Sequence, residues 1–166
     1  DSVKERRHIS IEACIDWTYR LLSEPEKLLF SQLSLFAGGF FAEDVEAVCQ
    51  MEEASEASEL LQSLRGHSLL SWQEVIGKTR YQMLPTVQQY ARKWIGEDKI
   101  EALRRRHTRH FLGVLEDASK KIRGKGQMEG IDRISADIDN IRTGMDAAIK
   151  AGDDQNVVQY SFSLAN

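Results

Sequence analysis

The sequence predicts a mainly α-helical protein, with a winged-helix domain carrying a β-hairpin at residues 9–95 and an antiparallel helical segment at residues 97–166. Three observations predict this fold class. Four short amphipathic segments come first, two short aromatic-containing runs flank Gly77, and long helical patterns follow Gly96. Short helices, a two-stranded hairpin and a closing helix in this order are typical of a winged helix.

Local signals delimit the first two helices. Residues 9–22 form an amphipathic segment, and Ser23 then precedes a helix with Pro25 in its first turn and Glu26 at capping-box spacing. Gly38-Gly39 is expected to end this second helix. The residues expected to face inward are Ile11, Cys14, Ile15, Thr18 and Leu22 in the first helix, and Leu28, Leu29, Leu33 and Phe36 in the second.

Two shorter helices and a hairpin follow. The helices are expected at about residues 42–50 and 56–65. Residues 69–73 and 79–83 are short β-prone runs joined by a glycine-containing loop, which favours a hairpin. The residues expected to face inward from the two helices are Val45, Val48 and Cys49, then Leu60, Leu61 and Leu64.

The remaining helices carry longer apolar stripes. Thr86 and Gln89 have capping-box spacing and predict the start of the fifth helix. A break at residues 124–126 separates two long helices, whose spacings of three and four suit a bundle or the start of a repeat array. The three stripes are Val87, Tyr90, Ala91, Trp94 and Ile95; Ile100, Leu103, His107, Phe111, Val114 and Ala118; and Ile131, Ile134, Ile138, Ile141, Met145 and Ala148.

Composition and charge argue against several broad classes. The chain has 166 residues, a net charge of −4 and 42% hydrophobic residues, a balance without general attraction to nucleic acid or an anionic membrane. No apolar run approaches the roughly 20 residues that span a bilayer, so a cytoplasmic location is expected. Cys14 and Cys49 are expected to be buried free thiols. Both ends fall within helical patterns, so a piece of a longer protein is expected.

No motif points to catalysis, a cofactor or a metal. Neither G-x-x-x-x-G-K-[ST] nor G-x-G-x-x-G occurs, so nucleotide chemistry is expected outside this chain. His107 and His110 are three residues apart, but His107 lies on an apolar stripe without a third ligand, so a packed His107 and an exposed His110 are expected. Asp137, Asp139 and Asn140 lack the glycine-centred loop of a calcium site and are interpreted as a solvated or interhelical polar face.

Two charged surfaces have functional interpretations. The third core helix of a winged helix commonly binds DNA, yet here the charged residues on and before that helix are Arg65 and the acidic Glu52, Glu53, Glu56 and Glu59. The hairpin adds Lys78 and Arg80, so DNA binding is the weaker interpretation because carboxylates repel phosphates. The basic residues Arg104, Arg105 and Arg109 form either a solvated face or a docking patch for an acidic partner or another domain.

The run LSLFAGGF at residues 33–40 is the most specific motif, and related motifs extend over nearly the whole chain, at residues 15–22, 26–30, 80–84, 87–91 and 139–142. Together they resemble the segment after the ATPase core of bacterial signal-transduction ATPases with numerous domains. These STAND proteins, similar to the NB-ARC nucleotide switches of apoptosis and plant resistance, include many LuxR-type or antibiotic-regulatory transcriptional regulators.

The resemblance implies a winged helix that packs on a preceding P-loop domain binding ADP or ATP, with the hairpin edge at Tyr81, Met83 and Leu84 facing that domain. It also implies that the helices from residue 97 begin a tetratricopeptide-like region that receives a protein partner or an inducer. In much of the family the second hairpin strand ends in Met-His-Asp, and the His contacts the ADP phosphate. Here the positions are Met83, Leu84 and Pro85, and the Leu84 side chain has no hydrogen-bond donor.

The expected function is therefore a non-catalytic regulatory and protein-interaction fragment of a nucleotide-switch ATPase, with Arg104, Arg105 and Arg109 as the partner-binding residues. No cofactor is expected in the chain itself. Two alternatives remain: a DNA-binding winged helix of a transcription factor, and a purely structural adaptor. Salt-sensitive affinity for duplex DNA would identify the first, and independence from nucleotide state would identify the second.

Overall fold

The computed structural model describes residues 2–51 and 57–165. It is mainly helical with one small antiparallel sheet, a winged helix followed by a helical segment, which confirms the predicted fold class. In chain order the elements are α1 Ser2–Leu21, α2 Glu24–Leu33, β1 Phe40–Phe41, α3 Ala42–Val48, α4 Ala57–Gly66, β2 Ser71–Val75, β3 Lys78–Gln82, α5 Pro85–Arg92, α6 Glu97–Arg123, α7 Gln127–Ala151 and α8 Asp154–Ala165.

Helices α2, α3 and α4 enclose the core of the winged helix. Short-range hydrogen bonds set where two of them begin: the Glu26 carboxylate accepts from the Ser23 backbone N–H at 2.6 Å, and Asp44 accepts from the Phe41 N–H at 2.8 Å. The core side chains that are completely buried include Leu29, Phe30, Leu33, Val45, Leu61 and Leu64.

The sheet has the strand order β1-β3-β2, so β3 is its middle strand. The hairpin turn consists of Ile76 and Gly77, whose φ angles of 50° and 70° are those of a tight type I′ turn. On the other edge, Phe40 pairs with Tyr81 and Phe41 with Arg80. This two-residue β1 strand was not predicted, because it is too short to show an alternating pattern.

Helices α6 and α7 pack against each other as an antiparallel pair, and α8 packs on both. Gly144 allows the close approach, since a Cβ built there would lie 3.4 Å from the Thr108 Cα. Tyr160 of α8 is completely buried at this crossing and donates a hydrogen bond to the Thr108 carbonyl oxygen at 2.7 Å. Helix α6 also packs on α3, which fixes the helical segment to the winged helix.

Several predicted boundaries and facings differ in the structure. Helix α5 begins at Pro85, with Leu84 as N-cap, so Thr86 does not cap it; proline suits the first turn, where no N–H partner is needed. Helix α2 ends at Leu33, well before Gly38. Cys49 is buried as expected, but Cys14 is exposed. Other side chains predicted to be inward are also substantially exposed, namely Ile11, Leu28, Trp94 and Ile131.

Within residues 2–51 and 57–165, every helix is too short or too polar to cross a bilayer. Cys14 and Cys49 are both free thiols, and burial raises the pKa of the Cys49 thiol well above its ordinary value.

Candidate interaction surfaces and the contacts that position them

The outer face of α4 and the hairpin is the surface that a winged helix presents to DNA. Ser58, Glu59 and Gln62 are exposed there. The Arg65 guanidinium lies over the Trp72 ring, 4.5 Å from its centre. Lys78 is paired with Glu43 at 2.7 Å, and both side chains are about half exposed. The acidic residues predicted just before this helix, at positions 52–56, lie outside the described residues.

The hairpin-edge residues do not share one surface. Tyr81 and Met83 are both 7% exposed, whereas Leu84 is 55% exposed. The burial has a simple cause: both side chains belong to the apolar core, where the Tyr81 ring stacks on Phe40 of β1 with 6.3 Å between the ring centres. Of the three residues predicted to face another domain, Leu84 is therefore the one whose side chain is accessible.

Arg80, interpreted from sequence as a hairpin cation, points inward from β3. Its side chain is 4% exposed and donates to the Asp137 carboxylate of α7 at 2.8 Å. It also donates to the carbonyl oxygens of Gly39 at 3.0 Å and Ala136 at 2.6 Å. A guanidinium with this many partners is well compensated for its loss of water.

A second arginine, Arg133 of α7, extends this buried charge cluster. Its guanidinium lies 2.7 Å from Asp44, 2.8 Å from Glu43 and 2.7 Å from Asp137. The contact with Asp137 is an ion pair without hydrogen-bond alignment, since Oδ2 of Asp137 accepts no hydrogen bond. His110 also contacts Asp44, at 2.7 Å, and is only 19% exposed, so the prediction of an exposed His110 was wrong.

The two buried carboxylates have opposite pKa shifts. Burial disfavours the charged form of Asp44, but the hydrogen bond from His110 and the Arg133 charge outweigh it, so the pKa of Asp44 lies below its ordinary value. For Asp137, burial and the neighbouring Asp44 charge raise the pKa, against the opposing effect of the two arginines. Asp44 is therefore the anion that the folded cluster favours.

Asn140 joins α7 to the loop that contains the most specific sequence motif. Its amide Nδ2 donates to the Gly39 carbonyl oxygen at 2.7 Å, and its Oδ1 accepts from the Ala37 backbone N–H at 2.6 Å. His107 of α6 lies 3.3 Å from the same Oδ1, so its Nε2–H is the donor in this contact. One completely buried amide thus links three parts of the chain.

His107 packs inside, as predicted, at 3% exposure between the rings of Phe36 and Phe111. Burial lowers the pKa of His107 to about 4, with the hydrogen bond to Asn140 acting in the opposite direction. At neutral pH the imidazole is uncharged. Within the part of the chain that the structure describes, no group of three His, Cys, Asp or Glu side chains could hold a metal ion.

The predicted partner-binding arginines line one groove. Arg104, Arg105 and Arg109 border a cavity of about 780 Å³ together with residues of α5, α7 and the start of α8. Arg104 is 51% exposed and Arg105 is 75% exposed, and both lie at 3.6–3.9 Å from Glu101. The structure therefore brings these three residues together on an accessible surface.

Sequence reasoning missed the buried roles of Asp137 and Asn140. The sequence left a solvated and an interhelical polar face open; both side chains are completely buried, and Asn140 does lie against His107 of α6, whereas Asp139 is exposed. One signal could have identified them: positions 137, 140, 144 and 148 share one helical face with Ile141, so polar residues occupy core positions there.

Over part of the chain, a match to a known family agrees with the winged-helix fold. Residues 22–95 match the family described as a winged helix-turn-helix domain. The chain is similar to candidate HTH-type transcriptional regulators of Mycobacterium tuberculosis and Mycobacterium bovis, each 29% identical over 161 residues, or 96% of this chain. A protein of Mycobacterium tuberculosis named as uncharacterized is 30% identical over 118 residues, covering 67% of this chain and 30% of that protein.

The chain spans 18% of the length of the two regulators that it resembles. No solved structure matches it.

Proposed function

We propose that this chain is a non-catalytic regulatory and protein-interaction module of a larger transcriptional regulator. Its winged helix packs on a nucleotide-binding P-loop domain of the same protein, in the cytoplasm, and shifts position with the nucleotide state. The similarity to regulators several times longer supports a module that works as part of a whole. The cofactor, ADP or ATP, belongs to the other domain.

The observation that carries this proposal is the charge of the α4 and hairpin face. Among its described residues, Arg80 is buried against Asp137, and Lys78 is paired with Glu43. The remaining arginine of this face is Arg65, and the acidic Glu59 lies on the same helix. Phosphate neutralisation supplies most of the affinity for DNA, so a face with one arginine outside an ion pair is better suited to a protein surface.

The nucleotide-switch part of the proposal rests on the family resemblance and on Leu84. Leu84 stands where many relatives carry the phosphate-contacting His, and its apolar side chain is 55% exposed at the end of the hairpin. An exposed leucine beside Pro85 suits a dry protein contact and offers no side-chain donor to a phosphate. The module would thus sense nucleotide state through packing.

DNA binding is the second candidate, favoured by one observation. Ser58, Gln62 and Arg65 lie at positions i, i+4 and i+7 of α4, and all three have exposed or partly exposed side chains. Recognition helices of winged-helix proteins use such a row of polar residues for base edges. The names of the similar regulators agree with this alternative.

Fluorescence anisotropy with the 166-residue chain separates the two candidates. A labelled mixed-sequence duplex is titrated at about 50 mM and about 200 mM salt, where phosphate-driven binding differs by orders of magnitude. We expect no binding at micromolar protein. Salt-dependent binding that Arg65→Ala abolishes, and that the control Arg123→Ala at the end of α6 does not, would make DNA recognition the function.

In the intact regulator, Leu84→Glu tests the packing on the nucleotide domain. We expect faster ADP release from Leu84→Glu and an unchanged rate from Gln82→Glu, an exposed residue two positions earlier. Equal rates for both variants and the parent protein would favour the purely structural adaptor.

A further inference from the structure

A groove of about 780 Å³ runs between α6 and α7 and is bordered by α5 and the first turn of α8. On α6 it extends from Ile100 to Arg109, a length of about 14 Å at 1.5 Å per residue. On α7 it extends from Thr143 to Ala151. These dimensions match a short helical or extended segment of another polypeptide.

Basic side chains dominate the charge of this groove. Its lining includes three acidic residues and five basic ones, Arg92, Arg104, Arg105, Arg109 and Lys150. Among the acids, Asp153 accepts hydrogen bonds from Asn156 in the first turn of α8. The Glu101 carboxylate lies 3.6 Å from the guanidinium of Arg105 and 3.9 Å from that of Arg104, so both ion pairs are long. Arg109 and Lys150, like the acidic Asp146, form no ion pair with any described residue, and the five basic residues of the lining outnumber its three acidic ones.

The floor of the groove is apolar or already satisfied. Leu35, Ile95 and Ile100 line it from one side, and small alanines of α7 line it from the other. The polar groups at its base are bonded within the chain: the Thr108 carbonyl oxygen accepts from Tyr160, and His107 donates to Asn140. An apolar side chain placed against these two groups would leave both of them with their partners.

We propose that this groove binds an acidic amphipathic segment of a partner protein. The apolar side chains of that segment lie on the floor formed by Ile95 and Ile100, and its carboxylates pair with Arg104, Arg105 and Arg109. The apolar floor distinguishes this occupant from nucleic acid, whose contacts are mainly phosphate and sugar. Such a partner would bind the helical segment, whatever binds to the exposed face of α4.

The test uses the 166-residue chain and three fluorescein-labelled peptides of about 14 residues, or about 20 Å as a helix. The first peptide has leucines at helical spacing among glutamates. In the second, the glutamates are replaced by glutamines, and in the third the leucines are replaced by alanines. We expect the first peptide to bind in the micromolar range, and each of the others at least tenfold more weakly.

Charge reversal locates the binding site. We expect the double variant R105E/R109E to bind the first peptide at least tenfold more weakly. The double variant K120E/R123E makes the same charge change at exposed positions elsewhere on α6 and should bind it within twofold of the parent chain. Circular dichroism verifies that the variants fold. Because both arginines are exposed, neither change removes a buried contact.

Four outcomes would overturn the proposal: no binding of the first peptide at about 1 mM, equal binding of the glutamine peptide, equal weakening by K120E/R123E, or full binding by R105E/R109E. Displacement of the peptide by duplex DNA through the same arginines would also overturn it and make the groove a nucleic-acid surface. The duplex titration of α4 can succeed or fail independently, because it depends on Arg65.

Discussion

The Arg80 guanidinium of β3 donates to the Asp137 carboxylate of α7 at 2.8 Å, and the two side chains are 4% and 0% exposed. This ion pair joins the middle strand of the wing to a helix 57 residues later in the chain. Phe41 completes the arrangement, because the guanidinium groups of Arg80 and Arg133 both lie over its ring, 4.8 and 4.7 Å from its centre. The winged helix and the helical segment are thus joined by charge as well as by apolar packing.

Asp137→Ala should be strongly destabilising, by about 3–5 kcal/mol in the free energy of unfolding, because it leaves the buried Arg80 guanidinium without its counter-charge. Urea unfolding followed by circular dichroism measures this change. Lys78→Ala is the control, since it removes a half-exposed ion pair with Glu43 and should cost less than about 1 kcal/mol. A cost for Asp137→Ala no larger than for the control would show that the buried pair does not stabilise the fold.

Gly39→Ala should cost more stability than Gly38→Ala. At Gly39, φ is +120° and a Cβ would lie 2.8 Å from the Tyr81 carbonyl oxygen, which belongs to the rigid backbone of β3. At Gly38, φ is +72° and the nearest atom is the mobile carboxylate end of the exposed Asp139. We expect at least about 2 kcal/mol for Gly39→Ala and about 1 kcal/mol for Gly38→Ala. Thermal unfolding of both variants measures the difference, and equal melting temperatures would contradict this account of the motif.

Stability should fall as the pH is lowered from about 6.5 towards 4, because the buried His107 resists protonation. The unfolded chain binds a proton near pH 6.5, whereas the pKa of His107 in the folded protein is about 4. The contribution is therefore complete above pH 6.5 and is lost as the pH falls through this window. The expected loss between pH 7 and pH 4.5 is about 2 kcal/mol.

His107→Phe isolates this effect, since it keeps an aromatic ring beside Phe36 and Phe111 and removes the titrating group. We expect the variant to lose about 2 kcal/mol less than the parent protein over the same pH range. Asp44 and His110, which also face this region, are common to both proteins. Parallel curves of unfolding free energy against pH would show that His107 is not the responsible group.

Gly144→Ala should destabilise the helical segment by about 1–3 kcal/mol. The added Cβ would collide with the Tyr160 hydroxyl and press on Thr108, where three helices meet. Gly113→Ala is the matched control on α6, because no atom lies within 4 Å of a Cβ there. It should leave stability unchanged or raise it by up to about 1 kcal/mol. Chemical denaturation measures both, and a stabilised Gly144→Ala would contradict the close crossing.

The parts of the fold that were predictable from sequence are those with local causes. The start of α2 follows from Ser23, Pro25 and Glu26, which lie within four residues. The hairpin follows from short strands around Gly77. The start of α5 was misplaced for a local reason as well: the Thr86–Gln89 spacing resembled a cap, but Pro85 is better suited to the first helical turn.

The contacts that were not predictable connect distant residues. Asn140 reaches the Gly39 carbonyl oxygen across 101 positions, and no pattern near Asn140 identifies that partner. Tyr81 and Met83 were expected to face another domain, but both face the core of this chain, where Phe40, which stacks on Tyr81, comes from a distant part of the sequence. The groove is a similar case. The basic cluster can be recognised in the sequence, but the apolar floor of the groove depends on how α6 packs against α7.

The amide of Asn140 also sets an order of events during synthesis. The winged helix can be completed with residue 92 at the end of α5, when neither Asp137 nor Asn140 has been added to the chain. Until α7 is added, the Arg80 guanidinium and the Gly39 carbonyl oxygen can bond to each other, but water must take the places of Asp137 and Asn140. Packing of α7 then replaces that water, so the loop at Gly39 is open to solvent and to chaperones until residue 140 has been synthesised.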